Sequence, residues 1–139
     1  MQFWLVKTEP STYSIDDLAR DKKTTWDGVQ NPLARIHLRE MKIGDYVLVF
    51  HTGDERAARG VAKVARAAYP DPKGGGDESA VVVDLEFGAK WPQPVTLEQM
   101  KSDRRLEGWD LFRISRLSVV PMTKEQWTTI GKILAKNSG

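Results

Sequence analysis

The segment Tyr46–His51, Tyr-Val-Leu-Val-Phe-His, is apolar at almost every position. A strand with one wet face alternates, so an unbroken apolar strand is expected to be buried on both faces. That run anchors the reading of the rest. Phe3–Lys7 is a first strand, short and apolar, stopped by Thr8-Glu9-Pro10. Gly60–Arg66 alternates, with Val61 and Val64 out of phase as a bulge would leave them. Ala80–Phe87 and Phe112–Val120 complete the set.

Helix signals lie between these runs. Ser14-Ile15-Asp16-Asp17 has the form of a helix start, predicting a short helix over Ile15–Arg20. Asn31-Pro32 reads as an N-cap followed by proline in the first turn. That helix runs to about Met41, with Ala34, Leu38 and Met41 on one face and Arg35 and Arg39 on another. Thr96-Leu97-Glu98-Gln99 opens a third, and Thr123-Lys124-Glu125-Gln126 caps a C-terminal helix with Trp127, Ile130, Ile133 and Leu134 on one face. Asp21–Thr25 reads as a polar loop, Tyr69–Asp77 as a long flexible loop and Trp91-Pro92-Gln93-Pro94 as a rigid connector. The pattern predicts an α+β architecture in which five to six strands, with short flanking helices, form a mainly antiparallel sheet curled into a small β-barrel.

Composition sets limits on function. A chain of 139 residues fits one domain, residues 1–139. Cysteine is absent, which excludes disulfides, thiolate metal sites and cysteine nucleophiles. Histidine occurs twice, at His37 and His51, with no H-E-x-x-H pattern. No phosphate-binding glycine motif or G-x-S-x-G turn is present, and Gly74-Gly75-Gly76 sits in a polar loop. The expectation is a binding protein without metal or cofactor, not an enzyme. No apolar run is long enough for a membrane span and no signal peptide is apparent, so a cytoplasmic monomer is expected. The net charge of +2 is compatible with a nucleic-acid partner without demanding one.

Several blocks of the sequence resemble one family. They are Trp4-Leu5-Val6-Lys7-Thr8-Glu9-Pro10, Thr25-Trp26-Asp27-Gly28-Val29-Gln30-Asn31, Met41-Lys42-Ile43-Gly44-Asp45, Gly60-Val61-Ala62, Ala68-Tyr69-Pro70-Asp71-Pro72 and Pro94-Val95-Thr96-Leu97. In this order, and spanning nearly the whole chain, they are similar to the EVE domain family of the PUA-like superfamily. The resemblance implies a PUA-like barrel, kinship with the YTH domain and a partner that is DNA or RNA carrying a modified base. Its alternatives are an RNA-binding or interaction module in an RNA-modification or restriction assembly, and a nucleic-acid-modifying enzyme. A base taken out of its stack must recover a few kcal/mol through aromatic contacts and edge hydrogen bonds.

For that role the resemblance implies Trp26 as a pocket wall, since it follows a polar stretch; the plain alternative is a core Trp. Thr8 and Asn31 would supply polar contacts, although Asn31 also serves as a helix cap. Phe50, His51, Tyr69, Asp71 and Trp91 are further pocket candidates, each with an equally ordinary packing or loop role. Trp4, Trp109 and Trp127 are expected in the core. Ala80 stands where relatives often carry a Trp or another large residue, so a fully aromatic cage is not implied. Arg35, Arg39, Arg56, Arg59, Lys63 and Arg66 are the candidates for phosphate contacts, of which two or three are expected to matter.

Overall fold

The structure, a computed structural model, describes residues 1–138. Six strands form one sheet: β1 (Phe3–Thr8), β2 (Lys23–Trp26), β3 (Tyr46–His51), β4 (Ala57–Pro70), β5 (Val81–Thr96) and β6 (Val119–Met122). The helices are α1 (Ile15–Asp21), α2 (Pro32–Glu40), α3 (Leu97–Lys101), α4 (Asp110–Arg113) and α5 (Lys124–Ser138). The strand order is β2-β5-β4-β3-β1-β6. β1 runs parallel to β3, and the other pairs are antiparallel. The expected α+β class is therefore present, but the sheet is open. β2 and β6 are its two edges and do not pair with each other. Closure into a barrel fails for want of that last ladder.

β3 is buried from Val47 to His51, as its apolar run requires. It lies between β1 and β4, and its side chains join one buried cluster with Trp4, Leu38, Val64, Leu106 and Ile130. The helix caps form as the sequence predicts. Ser14 accepts the Asp17 N–H while Asp17 accepts the Ser14 N–H, and Thr96 and Gln99 exchange bonds in the same way. Asp45 ties the start of β3 to β1. Buried at the turn into the strand, it accepts the Trp4 indole N–H at 3.0 Å and the backbone N–H groups of Gln2 and Lys42. Burial works hardest on this carboxyl, pushing its pKa up, yet the three donated hydrogen bonds prevail and leave it below the ordinary range.

Four segments differ from expectation. The polar stretch before Trp26 is a strand, because its threonines suit an extended backbone and Lys23–Trp26 finds a partner in Val83–Glu86 of β5. β4 continues to Pro70, so the loop begins later. Trp91–Pro94 belongs to β5 but falls in the register shift between Val95↔Ala58 and Lys90↔Gly60, where the ladder skips these four residues and proline's missing N–H costs no rung. Residues 112–118 are not a strand. Trp109 to Ile114 turn as a short helix with backbone bonds from Phe112 and Arg113 back to Trp109, and β6 starts only at Val119.

Candidate functional site

Residues from both ends of the strand order line one cavity of about 390 Å³. Lys7 and Thr8 come from the end of β1, and Ser118 from the approach to β6. Across from them stand Thr24, Thr25 and Trp26 of the opposite edge strand, β2. Thr12 and Tyr13, in the turn before α1, form one side; Asp27, Gly28 and Val29 form another. The cavity thus occupies the gap between sheet edges that a closed barrel would have zipped. Its size lies at the lower end of small-molecule clefts, which run from about 300 to 1,000 Å³.

The rings are fixed from below. Trp26 is 7% exposed and packs into the core cluster, while one part of it faces the cavity. The Tyr13 ring stands edge-on to it, with centroids 6.2 Å apart and planes at 85°. Tyr13 is held at both ends: the Thr8 hydroxyl donates to its carbonyl at 2.7 Å, and its own hydroxyl donates to Asp21 at 2.9 Å. Burial pushes the Tyr13 phenol up, so the ring stays neutral. Trp4 and Trp109 spend their indole N–H on Asp45 and on the Pro121 carbonyl. The Trp26 N–H has no acceptor among the described residues and is not sealed from solvent. Gly28 sits at φ +76° beside the cavity, a conformation that a side chain would resist.

Lys7 is half-buried. Its ammonium donates to the Ser115 carbonyl at 3.1 Å, and desolvation lowers its pKa from the ordinary lysine value. Thr25 is braced from behind, since Asp84 accepts bonds from both the Thr25 hydroxyl and the Tyr69 hydroxyl.

The structure brings Trp26 and Thr8 together and sets the other pocket candidates apart. Asn31 caps α2, accepting the Ala34 N–H at 3.0 Å. His51 is buried and accepts the Ile15 N–H on Nε2, while its Nδ1 faces Glu55 at 3.1 Å. That arrangement caps the first turn of α1. Tyr69 supports the lining through Asp84 without entering it, and its ring lies under the Arg66 guanidinium at 3.7 Å. Asp71 accepts the Lys73 N–H within its own loop. Trp91 packs half-buried against the core. Phe50 lines a different cavity, reached on the other side of Lys7.

The basic residues are also mostly engaged. Arg35 donates to the Val29 carbonyl, to Asp77 and to Ser79, binding the lip of the cavity to the loop after β4. Arg39 donates to the Ser79 carbonyl. Arg59 pairs with Glu55, and Lys63 lies over the Tyr46 ring. Arg56 has no ion pair among the described residues and borders the same cavity as Phe50.

Tyr13, Thr12, Thr24, Thr25 and Lys7 also line the cavity, although no sequence motif marks them as pocket residues. Tyr13 and Thr12 sit two and three residues before the α1 start and carry no pattern of their own. The paired threonines before Trp26 were the usable signal, since alternation with Trp26 makes an edge strand that shows its polar side. No group of three or more acidic or histidine side chains suited to a metal ion occurs among the described residues. No helix among them is long and apolar enough to cross a membrane.

Fold and cavity together define a class: a small α+β domain with a curled, unclosed six-stranded sheet and a ring-walled slot in its seam. The chain belongs to the EVE domain family, whose model matches residues 2–133. It is 32% identical to human thymocyte nuclear protein 1 over 157 aligned positions, covering 89% of this chain and 70% of that protein. A hypothetical protein from Leishmania major has the same fold, with a TM-score of 0.94, 36% identity and coverage of 100% of this chain and 98% of the other. Human THYN1 protein, solved in complex with DNA containing 5-methylcytosine, matches with a TM-score of 0.88 at 28% identity, covering 100% of this chain and 99% of that one.

Proposed function

We propose that this domain reads a modified base in a nucleic acid, holding the base turned out of its stack in the Trp26 cavity, and does so by binding without chemistry. The observation that carries the reading is the seam cavity itself, where Trp26 and Tyr13 offer two ring surfaces at right angles inside a rim of threonine hydroxyls. A flat heterocycle stacks on one ring and meets the edge of the other. The free Trp26 N–H and the hydroxyls of Thr12, Thr24 and Thr25 suit the hydrogen-bonding edge of a base. The complex of human THYN1 protein with DNA containing 5-methylcytosine supports methylated cytosine as the first ligand to test, with hydroxymethylated cytosine beside it.

Base-aromatic stacking contributes roughly 1–3 kcal/mol, so loss of the indole should weaken preferred binding about 5- to 150-fold. The experiment titrates short single- and double-stranded oligonucleotides, of DNA and of RNA, with and without one methylated or hydroxymethylated cytosine. Trp26→Phe keeps a ring in the core but removes the N–H and part of the stacking face; Trp26→Ala removes the wall. Both are compared with the parent by circular dichroism to confirm folding. Preference for a modified oligonucleotide that falls in the order parent, Phe, Ala supports the reading. Equal affinity of the parent for modified and unmodified strands overturns it.

A further inference from the structure

Lys7 lines two cavities at once. On one side is the Trp26 slot. On the other is a second cavity of about 320 Å³ whose wall is apolar, from Phe50, Leu97, Leu111 and Phe112. Its charged lining is entirely cationic: Lys7, Arg56 and Lys101. Neither Arg56 nor Lys101 has an ion-pair partner among the described residues, so both charges are available to an anion. Carboxylates are close by without forming an ion pair with either cation: Glu9 lies against Gly53 at the edge, Glu55 is engaged by His51 and Arg59, and the adjoining cleft, which Arg56 and Lys101 also line, carries Asp54 and Glu98.

Arg56 is also one of two non-glycine residues with positive φ, at +44°. Its carbonyl is pinned by the Leu97 N–H at 2.8 Å, so the turn between β3 and β4 holds an arginine in a conformation that arginine disfavours. Backbone of this kind, kept in place by surrounding bonds, is concentrated at sites that bind.

We propose that the second cavity is the subsite for the nucleotide next to the held base, with its phosphate between the Arg56 guanidinium and the Lys101 ammonium and its sugar and base against Phe112 and Leu97. This rests on the base-reading role proposed for the Trp26 slot. Lys7 is the partition between two consecutive units of one strand, its stem serving both sides. An apolar wall beside paired cations matches a nucleotide, which joins a flat or puckered apolar surface to an anion. Two cations set on phosphate release counterions and steepen the salt dependence of binding.

The test uses the full chain and an oligonucleotide with one 5-methylcytosine, beside a second in which the phosphate on one or the other side of that base is a neutral methylphosphonate. Arg56→Ala/Lys101→Ala is measured against the parent from 50 to 200 mM salt. The slope of log K against log salt should become shallower by roughly 0.7–0.9 for each phosphate that the variant no longer neutralises. One methylphosphonate position should weaken the parent but not the double variant, and the ratio of modified to unmodified affinity should persist in that variant. An unchanged slope, or equal methylphosphonate losses in both proteins, overturns the subsite even while Trp26→Ala still abolishes preference. Absence of any preference in the parent instead overturns the base-reading role, and the subsite with it.

Discussion

His51 shows how a residue typical of a binding site can be taken by the fold. Its Nε2 accepts the Ile15 N–H, holding α1 to β3, and its Nδ1 faces Glu55 in the turn after β3, so both ring nitrogens are engaged. His51→Ala strands a buried N–H, which costs about 1–3 kcal/mol. Chemical denaturation should show that loss, while the affinity ratio between modified and unmodified oligonucleotides stays at the parental value. Asp45 makes a pH prediction. Its carboxyl titrates below the ordinary range in the folded chain, so the stability it supplies is complete above the unfolded value and disappears as pH falls through the folded one. Asp45→Asn should lower stability at neutral pH and flatten the acid limb of stability against pH, as followed by thermal melts between pH 7 and 3. A parental acid limb in the variant would assign the effect to another carboxyl. Trp26 was legible as a ring outside an apolar run, and Thr8 as the end of β1. Tyr13 was not, because its place beside Trp26 depends on the Thr8 and Asp21 bonds that fold the turn around it.

Among the strands, β4 and β5 are the longest, at 14 and 16 residues, and they form the central hairpin of the sheet. Four register shifts bend their ladder, as alternation with misplaced valines foretold at one point only. Gly60 lies where α1 crosses this hairpin. A methyl group there would meet the Ala89 carbonyl oxygen and come within 2.8 Å of the Ile15 side chain. Gly60→Ala should therefore destabilise by about 1–3 kcal/mol, the usual cost of overpacking. It should also loosen α1 and Tyr13, lowering oligonucleotide affinity at a temperature where the variant remains folded. Short apolar strands and capped helices were readable because each rests on local chemistry. The edge strand β2 and the turn at Trp109–Ile114 were not, since pairing with β5 and packing against β6 decide them.

At the scale of the molecule, the sheet curls without closing. A ligand in the seam touches β1 and β2, which three intervening strands separate within the sheet. Binding to the folded state alone adds about 2.7 kcal/mol at a hundredfold excess over Kd. A preferred oligonucleotide should raise Tm by several degrees and slow amide exchange in β2 and before β6 more than in β3. Equal slowing everywhere would mean that the ligand sits elsewhere.

An unzipped seam also has a mechanical meaning. Widening it breaks no rung between β2 and β6, so in the proposed base-reading role the slot would open for an arriving base or shut around one without unzipping the sheet. What a closed cylinder would fix once and for all is then left to the guest, a removable rivet between the two free borders.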